Sequence, residues 1–284
     1  YLRSDEMLDN INQLILPRYK LSDYIDQKFD LKSIKNNDLK EYLEGVLSLG
    51  GNVYNFNKTL LYKRLSSSDI AFLISLDRRL KSDKFWIYCL ENKLDIPTGS
   101  IDSNLIDEID IYENELENIQ NDEWSTMYEL IQEKQPSWLK AWVPVSIFTK
   151  DLIDDIKLDI AVAEEILKKS KNLYINDDSK IKRLSELIDE SGNKKILIFS
   201  EYKDTVNHIH EKIQSAFPNK KISTVSGETS NPQMITERFS PVSNEVSVSK
   251  EDEIDILIST DSLSEGQNLQ DSNIVINYDL PWTI

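Results

Sequence analysis

The sequence predicts an α/β fold in its last third, with a parallel sheet flanked by helices, preceded by a mostly α-helical region. Three observations carry that reading. KKILIF, residues 194–199, is nearly continuous in apolar residues, as a strand buried on both faces should be. Short strand-like runs return at 221–225, 254–258 and 274–277, with helical patterns between the earlier ones, which is the rhythm of βαβ units. Glycine is scarce, seven in 284 residues, and apolar residues before position 170 recur at spacings of three and four.

Taken in order, Leu39, Tyr42, Leu43, Val46 and Leu47 form a helical stripe, and Gly50-Gly51-Asn52 breaks it. Ser67 or Ser68 caps the next helix, whose core face includes Ile70, Leu73, Leu76 and Leu80, and Asp69 suits its positive end. The stretch 101–123 holds nine Asp/Glu and no Lys/Arg, and reads as a solvated helix or a connector. PSWLKAWVP, 136–144, reads as a turn or loop. Residues 151–169 form the clearest long helix: Leu152, Ile156, Ile160, Ala163 and Leu167 make its stripe, and acids at its start and lysines at its end suit the dipole. Ser179 caps a shorter helix through Ile181, Leu184, Leu187 and Ile188. After the first strand, 204–217 is helical; Pro232 opens a helix reaching Phe239, and 240–253 is a polar loop.

Composition limits the function classes. A single cysteine, Cys89, excludes a disulfide framework and fits a reducing, cytoplasmic setting; within WIYCL it reads as a small apolar residue. No apolar run approaches membrane-spanning length, so no membrane partner is expected. The net charge of −17 argues against a surface coated by nucleic acid, yet residues 58–84 carry seven Lys/Arg against three Asp. Lys63, Arg64, Arg78, Arg79 and Lys81 therefore form either a duplex-backbone contact or a solvated helix face. His208 and His210 stand two apart, share no helical face and have no acid or cysteine cluster beside them; no metal site is expected.

Ligands of a parallel sheet sit at the carboxyl ends of its strands. LISTDSLSEGQNLQ, 257–270, follows the third strand directly and gathers hydroxyls, two carboxylates and one glycine. Ser259 and Thr260 would hold a phosphate there or cap the following turn. Gly266 allows close backbone approach or is simply a turn residue. Ser200 ends the first strand, beside Glu201, an acid ill suited to phosphate; Ser226 and Gly227 end the second.

Three segments carry a family resemblance: ILIFSEYKDTV, VSGETS, and TDSLSEGQNLQDSNIVINYDLPW. Residues 194–284 resemble the second RecA-like domain of a superfamily 2 helicase or translocase. Thr260, Asp261, Gly266 and Asn268 match its motif V, and NYDLPW resembles the approach to motif VI in the Swi/Snf-type branch. LYKRLSSSDIAFLISL resembles a segment in the helical insertion of bacterial helicases similar to the RNA-polymerase-recycling ATPase. The resemblance implies a helical insertion or linker region over 1–178 and a helicase carboxyl-terminal domain over 179–284, stopping before motif VI. It implies nucleotide contacts at Glu265, Gly266 and Asn268. It implies nucleic-acid contacts at Ser200, Ser226, Gly227, Ser259 and Thr260; separately, the local charge of Lys63, Arg64, Arg78 and Arg79 offers a second contact. The partners implied are ATP and Mg in the complete enzyme, nucleic acid in the form of duplex DNA, an amino-terminal RecA-like domain, and a protein bound through the helical region. No G-x-x-x-x-G-K-[ST] loop occurs, so no catalytic residue is assigned, and this chain alone is expected not to hydrolyse ATP. The competing expectation is a non-catalytic protein-interaction scaffold on the same fold.

Overall fold

The computed structural model describes residues 5–49, 51–99, 124–170, 178–261 and 268–279. They form two compact units. The first comprises 1–62 and 73–173; the second comprises 63–72 and 174–284.

The first unit holds helices α1 (Asp5–Gln13), α2 (Asn37–Leu49), most of α3 (Gly51–Ser67) and α4 (Asp69–Asn92), α5 (Trp124–Lys134) and α6 (Asp151–Ser170). Its core gathers Phe85, Trp86, Cys89, Ile96, Tyr128, Trp138, Leu152 and Ile156. Aromatic rings meet there at tilted or edge geometries, as their quadrupoles favour; the Tyr128 and Trp142 centroids are 5.4 Å apart. Cys89 is fully buried, and burial pushes its thiol up to about 12, which suits the apolar role expected of it. The segment expected as a loop instead supplies a strand, β2 (Ala141–Val143), paired antiparallel with β1 (Ile96–Thr98).

Helix α6 departs from its expected stripe by part of a turn. Its buried residues are Leu152, Ile156, Asp159, Ala163, Ile166 and Ser170, so a carboxylate occupies a core position. Asp159 is 2% exposed and accepts from the amides of Ile15 and Leu16, both at 2.7 Å. Leu16 sits at φ 53°, a left-handed conformation that a branched residue adopts only when its surroundings over-determine it. The two bonds supply that constraint.

The second unit is the predicted α/β assembly. Strands β3 (Ile196–Phe199), β4 (Ile222–Val225), β5 (Ile256–Ser259) and β6 (Ile274–Asn277) form a parallel sheet in the order β4-β5-β3-β6. Both faces are covered. On one, α7 (Ser179–Ser191) and α8 (Lys203–Ala216) pack Leu184, Ile188, Val206 and Ile209 against Ile196, Ile198, Ile256 and Ile258. On the other, Phe239, at the end of α9 (Pro232–Phe239), packs with Leu197, Val225 and Leu257. Alternation within each strand sends successive apolar residues to opposite helices, which is why the runs are continuous in sequence.

Helix α7 is capped not by Ser179 but by Asp178, whose carboxylate accepts from Lys180 N and Ile181 N at 3.1 Å each and lies 3.1 Å from His208 Nε2. Burial alone would raise this carboxyl; the His208 contact and the two amides outweigh it and hold it below the usual range. No described helix is long and apolar enough to cross a membrane.

The Asp159 clamp has a pH signature. Burial, with Asp83 adding to it, raises the carboxyl from 3.8 to about 6 against the opposing pull of the two amides and Arg18. The native state therefore binds the proton more tightly than the unfolded chain between those values, and stability falls as pH rises through that window. Asp159→Asn keeps only one acceptor oxygen and is expected to destabilise the first unit by about 1–3 kcal/mol. The wild-type advantage should be larger near pH 4 than at pH 7, by about 2 kcal/mol for a shift of this size. Urea unfolding followed by tryptophan fluorescence at both pH values measures it.

Candidate functional site

The four parallel strands end level. Register pairs Phe199 with Ser259 and Asn277, and Val225 with Ser259. One residue further, Ser200 N donates to Ser259 O (3.0 Å), Thr260 N to Val225 O (3.0 Å) and Tyr278 N to Phe199 O (2.8 Å). Ser226, Thr260, Ser200 and Tyr278 consequently follow one another along the carboxyl edge of the sheet, where open α/β folds hold ligands. The structure thus brings together candidates drawn from three separate sequence segments.

Their side chains differ in availability. The Ser259 hydroxyl is fully buried and donates to Thr260 O at 2.7 Å. Ser200 is 2% exposed; its hydroxyl donates to Asp279 Oδ2 at 2.6 Å, and Glu201 N donates to the same oxygen at 2.9 Å. Ser226 is half-buried in a closed turn, its N–H donating to Thr229 Oγ1 and its carbonyl accepting from Thr229 N. Gly227 is exposed, and a Cβ there would meet nothing within 4 Å. Crowding therefore does not account for this glycine. Thr260 is half-buried at the rim and Asp261 is exposed.

Lys63 and Arg64 also reach this edge, as part of the 63–72 segment of the second unit. Lys63 Nζ lies 3.4 Å from Glu201 Oε2. The Arg64 guanidinium sits 4.9 Å from the Tyr202 ring centre and 3.9 Å from Asp204 Oδ2. The hydroxyls of Ser67 and Ser68 meet Thr205 Oγ1 at 2.8 and 3.1 Å, and Ser68 Oγ also accepts from Ala71 N, capping α4. Glu201, an unpromising neighbour for phosphate, thereby has a structural reason: it faces Lys63.

The expectation of an exposed basic helix face is corrected. Arg64, Arg78 and Arg79 are 4%, 8% and 6% exposed, and the last two belong to the first unit. Helix α4 is buried on several sides, with Phe72, Leu76, Phe85 and Cys89 at 0–1% exposure. Arg79 donates to Asn57 Oδ1 at 3.0 Å and lies 4.8 Å from the Tyr19 ring centre. These arginines are built into the packing.

Glu265 and Gly266 lie outside the described residues. Asn268 is half-buried; its Nδ2 donates to Ser243 O at 2.5 Å, while Asn244 Nδ2 donates to Asn268 O at 2.8 Å. Its Oδ1 is shielded and has no hydrogen-bond partner among the described residues. Nearby, Asp271 accepts from Val242 N (2.8 Å), Ser243 N (3.0 Å) and the Ser243 hydroxyl. Burial works to raise this carboxyl, but those donors and Lys195 hold it below the usual range. The polar 240–245 loop is thus tied to residues 268–271. Among the described residues no group of three or more His, Cys, Asp or Glu is arranged to hold a metal.

Three residues of this edge were not singled out in the sequence: Tyr278, Lys180 and Asp279. Lys180 carries one signal. A cation in the first turn of a helix opposes the dipole, so Lys180 at the start of α7 needs another reason to be there.

Comparison with known proteins covers the second unit. Residues 179–284 match the family described as the helicase conserved C-terminal domain. That match spans a little over a third of the chain. The ATP-dependent RNA helicase RhlB of Shewanella sp. (strain MR-4) is 26% identical over 132 residues, covering 45% of this chain and 27% of that protein. The ATP-dependent RNA helicase eIF4A of Chaetomium globosum is 28% identical over 160 residues, covering 54% of this chain and 37% of that protein. The chain thus spans about a quarter to a third of the length of the curated relatives it matches. Among solved structures, the C-terminal part of the Fun30 ATPase domain is similar at 21% identity and a TM-score of 0.30, covering 43% of this chain and 44% of that one.

Replacing Asp271 with Asn removes the charge that gathers three donors. The amides of Val242 and Ser243 are then expected to exchange with solvent at least about tenfold faster, while those of Ile256 to Ile258 keep their protection. Hydrogen–deuterium exchange at residue resolution checks this.

Proposed function

We propose that residues 179–284 serve as the carboxyl-terminal motor domain of an ATP-dependent nucleic-acid helicase or translocase, and that its track is duplex DNA. The observation that carries the reading is the row Ser226, Thr260, Ser200 and Tyr278 on one carboxyl edge, within the stretch that matches a helicase domain. Phosphoryl transfer depends mainly on positioning and charge stabilisation, and a sheet edge of level strand ends is a positioning device.

In this reading Ser226, Gly227 and Thr260 meet phosphates of the track through hydroxyl and backbone N–H donors. Ser200 and Ser259 join them only on rearrangement, because both hydroxyls already donate within the chain. Glu265, Gly266 and Asn268 face nucleotide. The unpartnered Asn268 Oδ1 is the right type of acceptor for a ribose hydroxyl, so this residue fits ATP. ATP would supply the phosphoryl group whose hydrolysis drives movement. No Mg ligand is assigned to the described residues. The remaining half of the ATP site is assigned to a partner RecA-like domain, and this chain alone is proposed to be inactive as an ATPase. The helical region is proposed to dock a protein partner, and the whole to act in the cytoplasm.

The duplex preference rests on the Swi/Snf-type resemblance of NYDLPW and LYKRLSSSDIAFLISL. A second reading, an RNA track, is favoured by the names of the relatives, which are ATP-dependent RNA helicases.

ATP hydrolysis by the full-length protein, with no nucleic acid, duplex DNA, single-stranded DNA or RNA, decides among these. The expected result is stimulation strongest with duplex DNA. Stimulation by RNA alone transfers the proposal to the RNA reading. No hydrolysis with any nucleic acid sinks both and leaves the interaction-scaffold reading. Asn268→Ala is expected to lower the nucleic-acid-stimulated rate by about tenfold or more, the usual consequence of removing a positioning contact. An unaltered rate removes Asn268 from the nucleotide site.

A further inference from the structure

Lys180 and Asp279 stand outside every role assigned above, yet they occupy the centre of the second unit's polar contacts. The Lys180 ammonium lies 3.2 Å from Ser66 O and 2.8 Å from Ser67 O. These are among the last carbonyls of α3. The same ammonium lies 3.5 Å from Asp279 Oδ1 and 3.9 Å from the centre of the Tyr278 ring. The other oxygen of Asp279 takes the Ser200 hydroxyl and the Glu201 amide. One cation therefore joins the end of α3, the end of β6 and, through Asp279, the turn after β3.

The 63–68 stretch reinforces the same turn residue by residue. Lys63 faces Glu201, Arg64 covers Tyr202 and approaches Asp204, and Ser67 with Ser68 holds Thr205. Five consecutive positions of that turn and the start of α8, 201–205, thus include four with a partner from 63–68. Asp279 is 9% exposed at its side chain, so the carboxylate depends on these donors for its charge compensation.

We propose that Lys180 and Asp279 are positioning residues for the nucleic-acid face. They hold the Ser200–Glu201 turn at the carboxyl end of β3, and the α3–α4 junction sets that hold through the Ser66 and Ser67 carbonyls that Lys180 meets. This rests on the proposed function for its consequence and on geometry alone for the hold itself. Neither residue touches reacting atoms. A loosened hold therefore weakens engagement of the track and leaves hydrolysis without nucleic acid as it was.

The test uses Lys180→Met, which keeps the aliphatic stem and removes the charge, with Lys180→Arg as the conservative rescue and Asp279→Asn as the second route to the same break. Hydrogen–deuterium exchange on this chain reads the hold. The Glu201 amide should exchange about tenfold faster in Lys180→Met and Asp279→Asn, with Ile198 and Ile258 unchanged, and should recover in Lys180→Arg. In the full-length protein, Lys180→Met should raise the nucleic-acid concentration giving half-maximal stimulation by about tenfold, the loss expected for one charge-assisted hydrogen bond. Its rate without nucleic acid should be unaltered, and Lys180→Arg should restore the half-maximal value. An unchanged Glu201 amide in both breaking variants overturns the hold. A faster amide with an unchanged half-maximal concentration overturns the link to the nucleic-acid face. A wild-type protein that no nucleic acid stimulates overturns the proposed function instead, and the exchange result still decides the hold.

Discussion

The in-register parallel pairing of β3 with both β5 and β6 is the constraint from which the chemistry of the second unit follows. Parallel strands need long crossovers, and those crossovers put helices on both faces. With both faces covered, the two central strands, β5 and β3, are apolar up to their last residues, and their polar groups come at the carboxyl ends. Because the strands end level, the first polar residues after them fall on one line. A row of hydroxyls and amides at the carboxyl edge is therefore a geometric outcome of the sheet.

That edge is not a free surface waiting for a ligand. Ser200 and Ser259 direct their hydroxyls into the chain, and an acidic carboxylate, Asp279, collects donors that would otherwise face outward. Burying a carboxylate beside the sheet is costly unless it is paired. Lys180 supplies the pairing, and its ammonium in turn satisfies two helix-terminal carbonyls. The charges of this region form a closed circuit in which each group compensates another. The first unit works the same way: Arg18 with Asp83 at 2.6 Å, Arg79 with Asn57, and Asp159 with two amides keep buried polar atoms partnered. The local basic excess of residues 58–84 is thus partly an internal matter.

The sheet was legible in the sequence because continuous apolar runs have few alternative explanations when helical patterns separate them. All four strands lie where such runs occur, with boundaries displaced by a residue or two. The pair β1 and β2 was not legible: three residues are too few to show a period, and the partners stand more than forty positions apart. The stripe of α6 was misplaced because Asp159 and Ile160 are neighbours, and polarity favoured the wrong one; only the left-handed Leu16 explains the need for a carboxylate. The cap of α7 was misread for a related reason, since Asp178 and Ser179 are both good caps and the contact with His208 decides between them. For the candidate site, strand-end residues were legible from topology. The burial of Arg64, Arg78 and Arg79 was not, because the groups that absorb them, Tyr202, Asn57 and Tyr19, are remote in sequence.

Glu201 shows how such a misfit should be read. An acid beside Ser200, a serine expected at a phosphate contact, contradicts the simplest account of the edge, and the contradiction has two resolutions. Either the edge does not meet phosphate, or the acid is neutralised by something the sequence does not place. Lys63 at 3.4 Å is that something. A lysine and an acid at this distance, each only partly exposed, leave the turn close to neutral and the neighbouring amides still able to donate. The cost is dependence: the turn now keeps its character only while 63–68 stays docked on it. The same physics explains why Lys180 tolerates the wrong end of a helix dipole, since its position is set by Asp279 and by the carbonyls of α3 and not by the helix that carries it.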